Sequence, residues 1–243
     1  MDYETPRFLD CGEAALSVEF GDSVDPAVNA RVLALDERLR AAPPAGLRET
    51  TPTYRALFLR YEPLEISRAA LIAAIDAVIG PAGVEASQPA ARWTIPCCYD
   101  PEFAEDIGEA AARLGQTAQS IVQLHAGADY RAYMYGFAPG WCYLGGLPRA
   151  LAIPRRVSPR GPTPPGAALI GGALSLIAAR PMPTGWYVVG RTPERMFALN
   201  RNPPFLVAPG DAVRFEPIDA KTFLALDARA CAGETVARQE KLR

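Results

Sequence analysis

The chain has 243 residues, of which 49% are hydrophobic and 21% charged, so it can bury one large core or two ordinary ones. Its net charge of −2 offers no long-range attraction for a polyanion, and nucleic acid is not expected as a partner. The N-terminus is acidic and the longest apolar run, near residues 166–179, is shorter than the roughly 20 residues of a membrane span. These features predict an unexported, cytoplasmic protein with no membrane association.

The first 95 residues alternate between strand and helix patterns. Asp25 followed by Pro26 predicts a helix start, as an N-cap residue with proline in the first helical position. A second helix is predicted between Ser67, its cap, and Gly80, just past its end. Strands are predicted near 16–20, 47–51, 54–61 and 92–96. The resulting β-α-β-β-α-β order is typical of a small ferredoxin-like (split βαβ) domain.

The second half is predicted to be a β-barrel domain. Residues 81–92 are small, polar and proline-bearing, which favours a domain boundary there or just after. Two short helices, near 101–114 and 117–125, are followed by many short β runs between Gly and Pro turns, as in closed or partly closed barrels. The fold class is therefore α+β, with predicted domains 1–90 (small α+β), 91–227 (barrel) and 228–243 (a C-terminal tail or frayed helix).

Residues 136–172 are the most unusual part of the chain. Fifteen of these 37 residues are Gly or Pro, with aromatic and arginine side chains between them. Proline fixes φ and removes a donor, whereas glycine permits positive φ, so the segment must form turns and open loops. Loops that keep many aromatics and cations usually surround a binding surface.

Cysteine and histidine usage limits the chemistry. The five cysteines show no Cys-x-x-Cys spacing, which predicts reduced thiols. Cys97 and Cys98 are interpreted as small buried side chains at a strand end, with a role as ligands or nucleophile as the alternative. A single histidine, His125, excludes a His-based metal cluster, and no metal site is expected. Ser175 lacks the Gly-x-Ser-x-Gly context of a hydrolase nucleophile.

Several motifs resemble one known family. The blocks GFAPGWCYLGGLP, PRRVSPR and GWYVVGRTP, with CGEAALSVEF before them and PGDAVRF after them, are similar to the family of allophanate hydrolase subunit 1, KipI and the B subunit of 5-oxoprolinase. That family is related to the carboxyltransferase domain (subdomains C and D) of urea carboxylase. The resemblance covers nearly the whole chain and implies a small α+β domain followed by a cyclophilin-like barrel.

The resemblance also implies a function. It implies the B-type subunit of an ATP-dependent amide or lactam hydrolase complex, inactive alone and working with a paralogous C-type subunit and a lactamase-like A subunit. The implied cofactors are ATP with Mg²⁺, held jointly with the partner, and the implied substrate is a small amide or lactam. A KipI-like protein that inhibits a histidine kinase without catalysis is the alternative, and prolyl isomerase activity rests on fold analogy alone.

Site residues follow from the resemblance and from side-chain chemistry. His125, Arg155 and Arg156 are the predicted catalytic residues, because imidazole titrates near neutrality and guanidinium groups grip carboxylate or phosphate. The predicted substrate or anion contacts are Arg160, Tyr133, Gly140, Tyr143, Gly145, Gly146 and Trp186. The alternatives are an imidazolium at a helix C-terminus, solvated arginines, aromatic core residues and plain glycine turns.

The chain also departs from the family pattern. Where relatives commonly show Gln-Thr-Gly-x-Tyr-Pro, this chain has Leu174, Ser175 and Leu176 followed by Ile-Ala-Ala. The amide and phenol that could donate to a substrate are absent from these positions. The substitution predicts an altered pocket, with retuned or lost activity.

Overall fold

A computed structural model describes residues 2–79 and 89–242, which divide into two compact units, Met1–Gln88 and Pro89–Arg243. The predicted stop at Gly80 and most of the predicted boundary segment 81–92 lie outside the described residues. Within the described residues, no helix combines the length and the apolar character that crossing a membrane requires. The predicted α+β class, with a separate antiparallel sheet and a barrel, is confirmed.

The first unit is a four-stranded antiparallel sheet with two helices. Its elements are β1 (Asp2–Asp10), β2 (Ala15–Gly21), α1 (Pro26–Ala41), β3 (Leu47–Pro52), β4 (Ala56–Tyr61) and α2 (Arg68–Ile79), and the sheet order is β1-β2-β4-β3. The predicted start of α1 is confirmed, because the Asp25 carboxylate accepts hydrogen bonds from the backbone N–H groups of Ala27 (2.7 Å) and Val28 (3.3 Å). Apolar side chains of both helices and of β2 and β4 form one core.

The order of helices and strands predicted for this unit is wrong at both ends. β1 was not predicted, because it is an exposed edge strand with no apolar alternation. The strand predicted near 92–96 exists as β5 (Ala91–Cys98), but it pairs with strands of the second unit and not with the first sheet. The first unit is therefore β-β-α-β-β-α, and alternation alone could not show which sheet β5 joins.

The second unit is built on a closed barrel. After β5 come α3 (Ile107–Leu114), α4 (Ala118–Ala126), β6 (Tyr130–Tyr135), β7 (Cys142–Gly145), a short 3₁₀ helix (Arg149–Leu151), β8 (Ala167–Gly171), β9 (Leu174–Ala178), β10 (Tyr187–Arg191), β11 (Ala212–Ile218), α5 (Ala220–Cys231) and β12 (Arg238–Lys241). The sheet order is β10-β8-β9-β7-β6-β11-β5-β12, and a pairing of Arg191 with Cys98 closes seven strands into a ring.

The C-terminal segment differs from the predicted tail. Residues 228–243 include the end of α5 and the strand β12, which pairs antiparallel with β5. The buried carboxylate of Glu194 accepts backbone hydrogen bonds from Val236 and Ala237, each 2.7 Å long. All four β12 side chains are exposed. Because its side chains are polar and exposed, the composition of this segment predicts a tail. Backbone pairing with β5 and the hydrogen bonds to the Glu194 carboxylate nevertheless hold the segment in place.

Candidate functional site

His125 lies in a closed hydrogen-bonded network inside the second unit. The Ser175 hydroxyl donates to the carbonyl of Leu169 (3.1 Å), so it accepts from His125 Nε2 (3.1 Å). The Tyr99 hydroxyl then donates to His125 Nδ1 at 2.8 Å. This assigns the proton of the neutral ring to Nε2 and satisfies both ring nitrogens.

Burial sets the charge of this histidine. The ring is fully buried and stacks on Phe215 at 4.6 Å between centroids. Desolvation lowers the pKa of His125 from 6.5 to about 3, so the ring is neutral near pH 7. The alternative of an imidazolium at the end of α4 is therefore wrong, because no charge forms there. The sequence did carry a signal for burial, since Ile121 and His125 are four residues apart on the apolar face of α4.

Two of the three predicted arginines are neutralised within the chain. Arg156 contacts the carboxylates of Asp106 (3.2 Å) and Glu109 (2.7 Å), and Arg160 contacts those of Glu105 and Asp106. Their side chains are only 16% and 17% exposed. These two guanidinium groups therefore converge on internal carboxylates, which sequence patterns do not reveal because the acids lie about fifty positions away along the chain.

We call this set of ion pairs the ionic bracket; its members are Glu105, Asp106, Glu109, Arg156, Arg160 and Arg191. Arg191 completes it through Glu105 at 2.9 Å. Backbone bonds reinforce it: the N–H of Arg156 donates to Gly185 (2.7 Å) and that of Arg160 to Thr184 (2.9 Å). The bracket thus fixes the loop that carries Arg156 and Arg160 against the barrel.

Arg155 differs from its neighbours. Its side chain is exposed and has no carboxylate partner within the described residues. Its guanidinium lies 5.9 Å from the Trp186 ring centroid, and Trp186 meets Tyr143 edge to face at 6.0 Å. The structure therefore brings together three of the predicted residues, as one exposed cation beside two aromatic rings.

An open groove with a volume of about 600 Å³ runs beside Arg155. Its lining residues are Arg113, Leu114, Ala152, Ile153, Pro154, Arg155, Arg156, Val157 and Ser158. Arg113 was not predicted to be part of the site. Its spacing of four residues from Glu109 indicates only an ordinary surface ion pair, which it forms at 3.0 Å.

The remaining predicted contacts are mostly packing positions. A Cβ on Gly145 would lie 1.8 Å from the ring of the buried Tyr133, and one on Gly140 would lie 2.5 Å from Phe197. Gly146 has φ of 98° and approaches the backbone of Asp129. The space beside these glycines is thus filled by the protein, which favours the turn and packing interpretation over a phosphate nest.

The buried thiols are neutral. Desolvation raises the pKa of both Cys97 and Cys142 to about 12, and both are fully buried. No group of three or more His, Cys, Asp or Glu side chains is placed to hold a metal ion in residues 2–79 and 89–242. Arg155, exposed beside the groove, is the predicted site residue that an anion could contact directly.

Comparison with known proteins identifies the architecture as a carboxyltransferase-type fold. The chain matches Kluyveromyces lactis urea carboxylase with a TM-score of 0.79 over 98% of this chain, which corresponds to 24% of that chain. Identity is 16%, so this likeness shows the fold alone. The crystal structure of TTHA0988 matches 85% of this chain with a TM-score of 0.76 and 34% identity, and the match covers 40% of that longer chain.

Sequence comparison identifies the family. The model for the carboxyltransferase domain, subdomain C and D, matches residues 6–207. The B subunit of 5-oxoprolinase from Bacillus subtilis (strain 168) is 30% identical over 224 residues, which cover 88% of this chain and 93% of that protein. This chain belongs to the carboxyltransferase subdomain C and D family, and the predicted resemblance is confirmed.

Proposed function

We propose that this chain is the B-type subunit of a 5-oxoprolinase-type complex that opens a small lactam, working with a paralogous C-type subunit and a lactamase-like A subunit. The observation that carries the proposal is the match to the Bacillus subtilis 5-oxoprolinase protein along 93% of that protein's length. Both units of the chain take part in the match, so the proposal concerns the whole architecture and not the barrel alone.

The geometry supports a role that depends on other subunits. His125 is buried and neutral, and the thiols of Cys97 and Cys142 stay protonated at neutral pH because burial raises their pKa. Arg156 and Arg160 are compensated by carboxylates of the ionic bracket. The burial of His125, the predicted acid–base residue, supports a proposal in which the assembled complex supplies the reacting groups.

ATP and Mg²⁺ belong to the proposal as cofactors of the complex. Bound ATP would supply a phosphoryl group that activates the lactam oxygen, since an amide is a poor electrophile. The residues of this chain fit a triphosphate poorly, because the approach to Gly140 and Gly145 is filled and, in the described part of the chain, only Arg155 among the three predicted arginines lacks a carboxylate partner. We therefore assign the phosphates and the metal to a partner subunit.

The test is reconstitution. The chain is co-expressed with candidate C-type and A-type subunits, and co-elution, ADP formation and glutamate formation from 5-oxoproline are measured. We expect ADP and glutamate in equal amounts from the full set, and neither from this chain alone or from the set without it. Absence of co-elution together with absence of 5-oxoproline-dependent ADP formation would refute the proposal. Inhibition of histidine kinase autophosphorylation without turnover would favour the KipI-like alternative.

A further inference from the structure

The groove beside Arg155 has a positive charge excess. Five guanidinium groups line it or belong to the ionic bracket, and they face three carboxylates. The guanidinium groups are those of Arg113, Arg155, Arg156, Arg160 and Arg191, and the carboxylates are those of Glu105, Asp106 and Glu109. The arginines of this set outnumber its carboxylates by two, and Arg155, the one without a carboxylate contact among the described residues, carries its charge into the groove. An anion placed there would gain Coulomb energy without displacing an internal partner.

Two buried polar atoms beside the groove also lack partners. Within the described residues, neither Arg156 Nε nor the Tyr187 hydroxyl has a hydrogen-bond partner, and Tyr187 is fully buried. The Tyr187 ring packs against two of the three arginines that line the groove, 4.3 Å from the Arg156 guanidinium carbon and 5.8 Å from that of Arg113. This aromatic platform holds the two cations in place, which lowers the ordering cost of binding.

The groove wall beside these cations is apolar. Leu114 and Pro154 line it with side chains that are partly or fully exposed, and Val157 lies fully exposed at its rim. A ligand that combines one negative group with a small apolar body would bury that body against these side chains. A polyphosphate would not match, because Arg155 is the one guanidinium lining the groove that has no carboxylate partner among the described residues.

We propose that this groove binds a small monocarboxylate on this chain alone, with Arg155 as the direct contact of the carboxylate and Arg113 as a secondary cation. The planar guanidinium fork matches a carboxylate in a bidentate arrangement. The prediction that the ligand carries a carboxylate does not depend on the proposed function. Only the choice of a lactam ring as the apolar part of the ligand rests on the proposed function.

The experiment is a titration of the purified full-length chain by calorimetry and by NMR of the arginine Nε–H signals. The probes are 5-oxoproline, cyclopentanecarboxylate, 2-pyrrolidinone (the lactam ring without its carboxylate) and inorganic phosphate. We expect saturable binding of at least one carboxylate, a shift of the Arg155 signal, and no saturable binding of 2-pyrrolidinone. Binding of phosphate without binding of either carboxylate, or binding of neither class, would overturn the assignment.

Variants localise the binding. Arg155→Ala should weaken carboxylate binding about tenfold or more, because a charge-assisted hydrogen bond contributes on that scale. Arg155→Lys keeps the charge but not the fork and should give an intermediate loss. The matched control is Arg149→Ala, since Arg149 is an exposed arginine outside the groove lining. Equal affinity in the Arg155→Ala and Arg149→Ala variants would overturn the proposal.

These outcomes separate the two proposals. Binding of cyclopentanecarboxylate without 5-oxoproline would support a monocarboxylate groove and count against a lactam substrate at this position. Carboxylate binding by the single chain, together with failure of the reconstituted complex to turn over, would leave the groove assigned and remove the proposed function.

Discussion

The buried histidine gives the barrel unit a predictable pH dependence. Burial lowers the pKa of His125 from 6.5 to about 3, so the folded state binds fewer protons than the unfolded state between these values. The contribution of His125 to the free energy of unfolding is therefore fully present above pH 6.5, and it is lost as the pH falls from 6.5 toward 3. For one such group, the loss between pH 7.5 and 5.0 is about 2 kcal/mol. His125 is the only histidine in the chain, so no second imidazole contributes.

The assay is denaturant unfolding followed by tryptophan fluorescence at both pH values. All three tryptophans lie in the second unit, so their emission reports the unit that contains His125. His125→Gln is the matched variant, because its amide can still donate to the Ser175 hydroxyl but does not titrate. It should be less stable at pH 7.5 yet lose much less stability on acidification. The reasoning is refuted if both proteins lose the same free energy of unfolding, or if NMR shows His125 titrating near pH 6.5.

Four further substitutions test the packing and the ion pairs, again by the free energy of unfolding of the second unit. Glu194→Gln removes a buried charge that accepts two backbone N–H groups, so we expect a loss of about 1–3 kcal/mol and faster hydrogen exchange at Val236; unchanged exchange there would contradict this. Gly145→Ala places a Cβ against a tyrosine ring and should lower the free energy of unfolding by about 1–3 kcal/mol or more. Its control is Gly108→Ala, which has open space around it in α3 and should raise the free energy of unfolding by about 0.5–1 kcal/mol. Asp106→Asn removes the negative charge that two arginines share and should lower the free energy of unfolding by about 1.5–3 kcal/mol. A loss below about 0.5 kcal/mol, as for a neutral surface substitution, would count against the ionic bracket.

Local signals predicted the elements better than their partners. The Asp25-Pro26 start of α1 needs only neighbouring residues, and it was found. The sheet that β5 joins could be predicted only with non-local information, because the alternation of buried side chains such as Trp93 and Ile95 would fit either sheet equally well. β12 carries no apolar signal at all, and its place follows from pairing with β5.

The candidate site shows the same limit in its charges. An arginine in a sequence has no visible partner unless the acid is a few residues away, as Glu109 is for Arg113. Arg156 and Arg160 are separated from Asp106 along the chain by α3, α4, β6, β7 and the short 3₁₀ helix, and they meet it only in the folded structure. The sequence could therefore predict a cationic loop, but not which of its cations remained available.

That difference decides what the loop can do. A cluster of three free guanidinium groups would favour a polyanion, whereas a compensated cluster with one exposed member favours a single negative charge held next to a rigid wall. Replacing Glu109 by Gln would free Arg113 and leave Arg156 paired with Asp106 alone, since both arginines contact the Glu109 carboxylate and Arg156 also contacts Asp106. If compensation sets the ligand class, this variant should gain affinity for inorganic phosphate relative to a monocarboxylate. An unchanged preference in the same titration would mean that the shape of the groove, and not its charge balance, selects the ligand.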